Sequence, residues 1–185
     1  MDAFRKLEAV AAPLARANVD TDQIIPARFL RKPRGSNFGD YLFHDVRADP
    51  AFVMNRPEYR GARIIVAGAN FGCGSSREMA IWALWDGGFR AAIAPSYGDI
   101  FYSNALKNGF LPVVLPADAV SAIQRSLEEN PGLKLVVDLE SQTVGPHRFD
   151  IDAFSRHCLL EGIDELGYTL GQMDRIRDFE RQHPQ

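Results

Sequence analysis

The sequence predicts an α/β fold: a mixed sheet with a parallel kernel in mid-chain and extra strands from both flanks. Two observations predict it. Between residues 61 and 132, short apolar runs alternate with segments of helical period that end in glycine, the pattern of successive βαβ units. Outside that stretch the apolar residues fall into extended pieces and a hairpin, and helical segments close the chain.

Taken in order, LEAVAAPLA (7–15) and DQIIPARFL (22–30) read as short strands or extended pieces. Residues 31–60 show no clean period, and an irregular stretch of that length points to a functional loop. Its basic cluster RKPR (31–34) reads as a solvated loop. ARIIVAG (62–68) is a β-branched apolar run, hence a buried strand. SREMAIWALWDGG follows, with Met79, Ile81, Trp82 and Trp85 at helical spacing and Gly87-Gly88 as its stop. AAIAP (91–95) and FLPVVLP (110–116) are further strands, separated by the helix GDIFYSNALKNG, which has Asp99 near its start and Gly109 at its end. ADAVSAIQRSLEENPG is an amphipathic helix. GLKLVVDLE, SQTVG and HRFDID read as a hairpin, and DAFSRHCLLEG and GQMDRIRDFERQ as closing helices.

The bulk properties exclude several function classes. A length of 185 residues fits one domain, 1–185, with a core of its own. No run of about 18 apolar residues exists, so no membrane-spanning helix is expected. The first residues carry Asp2 and Glu8 and no long apolar core of a signal peptide, which implies a cytoplasmic protein. A net charge of −3 argues against nucleic acid as a partner. The two cysteines, Cys73 and Cys158, are too few to ligate an iron–sulfur cluster, and in a cytoplasmic chain they are not expected to form a disulfide. Zinc is equally unexpected, since there is no CxxC and His44, His147, His157 and His183 lack ligand spacing.

The chemistry concentrates in GANFGCGSSRE (68–78). A phosphate-binding P-loop needs a lysine that this stretch lacks, and a dinucleotide fingerprint needs glycine where Arg77 stands. The stretch nonetheless follows a strand and opens a helix. Glycines let the backbone turn tightly, unpaired helix N–H groups favour an anion, and Arg77 offers a bidentate fork for a carboxylate. Two hydroxyls, Ser75 and Ser76, lie beside it. The plainer reading is that Ser75-x-x-Glu78 is a capping box and nothing more. Cys73 reads as a thiol nucleophile or, more simply, as a small buried residue.

NVDTDQIIPARFL (18–30), GANFGCGSSRE (68–78) and PSYGDIFYSNALKNGFLPV (95–113), in this order along the chain, resemble the family of small subunits of 3-isopropylmalate dehydratase. These are separately encoded swivelling domains, of β/β/α type, in the aconitase superfamily of hydro-lyases. The resemblance extends through NPGLKLVVDLE and FDIDAFSRHCLLEGID. It implies that Ser75 acts as an alkoxide base on a carbon next to a carboxylate, while Ser76 and Arg77 hold a substrate carboxylate. It also implies a loop at Arg28, Phe29, Leu30 and Arg31 that meets the variable side group of the substrate. Phe29 and Leu30 would offer an apolar patch to an isopropyl group, or Arg31 would pair with an extra carboxylate. The leaving hydroxide is taken in this family by the open iron of a [4Fe–4S] cluster held by three cysteines. The chain lacks that set, so the cluster is expected on a partner, the large subunit. The family pattern continues SSREH, and here Met79 replaces the histidine.

Two alternatives stand beside this reading. One is the small subunit of a related hydro-lyase for another 2-hydroxy di- or tricarboxylate. The other, from a different class, is a non-enzymatic anion-binding regulatory module in which GSSR only caps a helix.

Overall fold

A computed structural model of the chain describes residues 1–33 and 37–183. Arg34, the end of the basic cluster, lies outside the described residues, as do residues 35 and 36 of the irregular stretch; Arg31 and Lys32 are exposed.

The predicted kernel forms. β1 (Lys6–Leu14), β2 (Ile64–Ala67), β3 (Ala91–Ala94) and β4 (Leu111–Val114) lie parallel, and β5 (Lys134–Asp138), β6 (Thr143–Val144) and β7 (His147–Arg148) extend the sheet with antiparallel pairings. The order is β4-β3-β2-β1-β5-β6-β7. β1 joins the two halves: its first half pairs antiparallel with β5, and Ala11–Leu14 pairs parallel with Ile64–Ala67 of β2. β2 and β3 are buried on both faces, which is why they read as unbroken apolar runs. Their period of two splits the core. Ile65, Ala67, Ala92 and Ala94 face one layer with Ile81, Leu84, Phe101 and Ala105, while Ile64, Val66, Ala91 and Ile93 face the other with Val120, Ile123 and Leu127.

Helices α2 (Glu78–Asp86), α3 (Asp99–Lys107), α4 (Ala117–Glu129) and α5 (Ala153–Glu161) fill the layers, and α6 (Glu165–Gly171) and α7 (Met173–Gln182) follow with no buried residue. Among the described residues no helix is long and apolar enough to cross a membrane.

Three expectations are corrected. DQIIPARFL is no strand: it holds the one-turn helix α1 (Thr21–Ile24) and a 3-10 turn, Ala27–Phe29. Asp20 accepts from the Gln23 N–H at 2.8 Å and starts the turn, and Pro26, whose predecessor Ile25 is extended, prevents it from continuing. The second is the helix at SREMAIWALWDGG, which begins only at Glu78. Arg77 is its N-cap, with extended backbone and no capping side chain. Third, the stretch expected as a hairpin has two successive antiparallel pairings, β5 with β6 and β6 with β7. The irregular stretch does lack a regular element: its described part is a chain of 3-10 turns at Phe38–Tyr41, Val46–Ala48, Val53–Asn55 and Pro57–Tyr59.

Candidate active site

The site lies where the loops leave the carboxyl ends of β1, β2 and β3, the edge at which open parallel sheets bind ligands. The loop after β2 is laced on both sides. Towards the segment after β1, the Asn18 N–H donates to the Ala69 carbonyl (2.9 Å), the Gly72 N–H to Val19 (2.8 Å) and the Thr21 N–H to Cys73 (2.9 Å). Towards the loop after β3, the Phe71 N–H donates to Ser96 and the Gly98 N–H to Phe71, both at 3.0 Å. Two glycines permit this. Gly72 has φ of +72°, and a Cβ there would lie 2.2 Å from the Phe101 ring. A Cβ on Gly98 would lie 2.7 Å from the Gly72 carbonyl oxygen.

Ser75 emerges from this lacing exposed, at the rim of an open depression of about 170 Å³ that it shares with Gly72, Gly74, Gly98, Asp99, Ile100 and Phe101. Its hydroxyl makes no hydrogen bond among the described residues, whereas its carbonyl accepts from the Thr21 hydroxyl at 3.0 Å. The expected capping box is absent: Glu78 accepts from the Asn108 side chain at 2.9 Å, and Ser75 lies one turn ahead of the helix. The unpaired N–H groups of α2 therefore begin at Glu78 and not at the serines.

Ser76 is exposed, and Arg77 is largely covered, its side chain 17% exposed. The Arg77 guanidinium donates to the Asp22 carboxylate. That hydrogen bond is the main reason the Asp22 carboxyl lies below the usual carboxylate range; partial desolvation opposes it, and the Ala27 N–H adds to the lowering. Met79 is half-buried on α2, and Cys73 is half-buried with a free thiol, so it is not the fully buried residue of the plainer reading.

The second predicted group is brought together differently. Arg28 forms a two-pronged ion pair with Asp45, which also lies 3.1 Å from His44 Nδ1, and the Arg28 guanidinium sits over the Phe29 ring. Asp45 is held well below the usual carboxylate range, first by Arg28 and then by His44. Phe29 stacks on Tyr41 at 4.3 Å between ring centres. Phe29 and Leu30 are half-buried against the core, and Arg31 is exposed. Arg28 is thus engaged in joining its own turn to the 3-10 turns that follow, while Arg31 remains at the surface.

Sequence reasoning missed Thr21, Asp22 and Ile100. Thr21 and Asp22 carried a local signal: Asp20-x-x-Gln23 has the form of a helix cap, which places both at the start of a helix. Ile100, 52% exposed in the first turn of α3, carried none.

The fold and the site loop define a class first: the family model described as Aconitase C-terminal domain matches residues 1–118. Relatives narrow it. The 3-isopropylmalate dehydratase small subunit of Acidobacterium capsulatum is 49% identical, covering 99% of this chain and 91% of that protein. The small subunit of the same name from Dechloromonas aromatica is 48% identical, covering 97% and 94%. A crystal structure of 3-isopropylmalate dehydratase from Methanocaldococcus jannaschii superposes with a TM-score of 0.66 at 26% identity, covering 95% of this chain and 99% of that one. The chain belongs to the aconitase C-terminal domain family and, within it, to the small subunits of 3-isopropylmalate dehydratase.

Proposed function

We propose that the chain, acting throughout 1–185 as one swivelling domain, is the small subunit of a 3-isopropylmalate dehydratase and supplies its base. The holoenzyme interconverts 2-isopropylmalate and 3-isopropylmalate in leucine biosynthesis by removing water and adding it back the other way round. The near-half identity to such subunits over the whole chain supports this reading against the two alternatives.

The observation that carries the assignment of the base is the presentation of Ser75: its backbone is bound while its hydroxyl is exposed and unbonded. Dehydration breaks a C–H bond next to a carboxylate. Its electron pair becomes the second bond of an alkene, the proton goes to the Ser75 oxygen, and the neighbouring hydroxyl leaves with its bonding pair as hydroxide, for which the cluster of the large subunit would supply the Lewis acid. A serine oxygen accepts it only as an alkoxide, which requires a water-poor cleft and nearby positive charge. Ser75 is exposed on this chain alone, so a second surface has to close the cleft. Ser76 and Arg77 hold a substrate carboxylate, with Arg77 held ready by Asp22. Phe29 and Leu30 offer an apolar patch to the variable side group, Arg31 stands exposed beside them, and Arg28 braces the turn through Asp45.

The donor set of this chain does not fit a [4Fe–4S] cluster. Cys73 lies in the site loop and Cys158 is buried in α5, and among the described residues no three His, Cys, Asp or Glu side chains are grouped to hold a metal. The cluster is assigned to the large subunit, which also supplies the closing surface.

The test is the complex reconstituted with its large subunit and a loaded cluster. Ser75→Ala should assemble and lose at least about a hundredfold in turnover, the scale of a lost acid–base group. Activity within a few-fold of the wild type would remove Ser75 from the mechanism.

A further inference from the structure

Thr21 carries a polar side chain and is nonetheless buried, 2% exposed. It opens the four-residue helix α1, so no carbonyl of that helix lies one turn behind its hydroxyl. Thr21 instead donates to the Ser75 carbonyl, 54 residues further along the chain. Its backbone N–H donates to the Cys73 carbonyl at 2.9 Å. One residue thus holds two carbonyls of the site loop, on either side of Gly74, whose φ is +90°. Gly74 has no side chain to limit its rotation, so the bonds to its flanking carbonyls are what hold this turn. The threonine is itself fixed by the cap at Asp20 and by burial.

We infer that Thr21 is a positioning residue for Ser75: its hydroxyl orients the peptide between Ser75 and Ser76 and thereby aims the Ser75 side chain. The inference rests on Ser75 being the base. The Ser75 carbonyl and the Ser76 N–H lie in one peptide plane and turn together, and fixing that plane fixes ψ of Ser75 and so the direction of its Cα–Cβ bond relative to the held carbonyl. Thr21 is not among the residues that line the depression. Removal of its hydroxyl acts on the rate of proton transfer and leaves the carboxylate-holding Arg77 paired with Asp22.

Thr21→Val and Thr21→Ser separate hydroxyl from methyl in the reconstituted complex. Valine keeps the branched shape and removes the donor; serine keeps the donor. Thr21→Val should lower kcat by about ten- to a hundredfold with KM within about threefold, the effect of misplacing a reacting group. Thr21→Ser should restore kcat to within about threefold of wild type. A Thr21→Val complex within about twofold of wild type, measured beside an inactive Ser75→Ala, overturns the inference and leaves the base standing. Equal losses in both Thr21 variants assign the residue to packing and also overturn it. An active Ser75→Ala removes the base itself, and the inference falls with it. Should valine block assembly, Thr21→Ala gives a second donor-free chain, and the carbonyl-carbon resonance of Ser75 in the isolated chain reads the bond directly. That resonance should move in the donor-free chains and stay in Thr21→Ser; no movement overturns the inference.

Discussion

Asp22 and Arg77 show how one ion pair gives the site a measurable pH signature. Arg77 holds the Asp22 carboxyl below its ordinary range. A carboxyl lowered in the folded state contributes stability that is present above its unfolded value, about 3.9, and is lost as the pH falls through the lower folded value. Asp22 is half exposed, so the contribution is small. Asp22→Asn should therefore denature at slightly lower urea than the wild-type chain, by a margin that is steady from neutral pH to about pH 5 and closes below about pH 4. A margin that widens on acidification would show that Arg77 does not hold Asp22 as the structure has it. Ser75 differs from both: it caps no helix, so replacing it by alanine removes no capping bond and leaves stability a clean control for activity.

Among the elements, those fixed by local pattern were legible and those fixed by distant contacts were not. β2 and β3 are apolar on both faces, and α3 and α4 lie where their periods put them. α1 was misread because Ile24-Ile25 has the look of a strand, while a single Asp20 bond and Pro26 decide otherwise. α6 was missed because Gly167 and Gly171 weaken the helical pattern, although Asp164 caps it through the Gly167 N–H at 2.7 Å. In the site, the GSSR serines were legible from the residues themselves. Their tie to Thr21 was not, because no local window spans both, and the apparent capping box offered Ser75 a nearer partner. The loop built on Phe29 and Tyr41 yields its own test. Leu30 is half-buried there and Arg31 exposed. Leu30→Ser should reduce kcat/KM for 3-isopropylmalate relative to a malate with a smaller side group by about 10- to 200-fold, the value of lost apolar contact with a three-carbon group. Arg31→Ala should leave that ratio within about twofold, because a solvated cation contributes little to an apolar contact. Unchanged ratios in both variants would show that the loop does not read the substrate.

At the scale of the molecule, the sheet divides the chain into layers that give its cysteines different surroundings. Cys73 sits in the site loop over the carboxyl edge of β2, held through its carbonyl by Thr21. Cys158 is 5% exposed in α5, and burial raises its thiol pKa above the ordinary value, which keeps it protonated and a poor metal ligand. A cluster requires several thiolates converging on one point, and bringing Cys158 to Cys73 would mean pulling α5 off the layer in which Leu159 is fully buried. The isolated chain, incubated anaerobically with iron and sulfide and then desalted, should carry no visible cluster absorption and should not turn over 3-isopropylmalate. Adding the large subunit to the same sample should bring both the absorption and the activity. A stoichiometric cluster with turnover on the isolated chain would overturn the division of labour between the subunits, because it would require this chain to rearrange one of its two core layers to gather ligands that its folded state keeps apart.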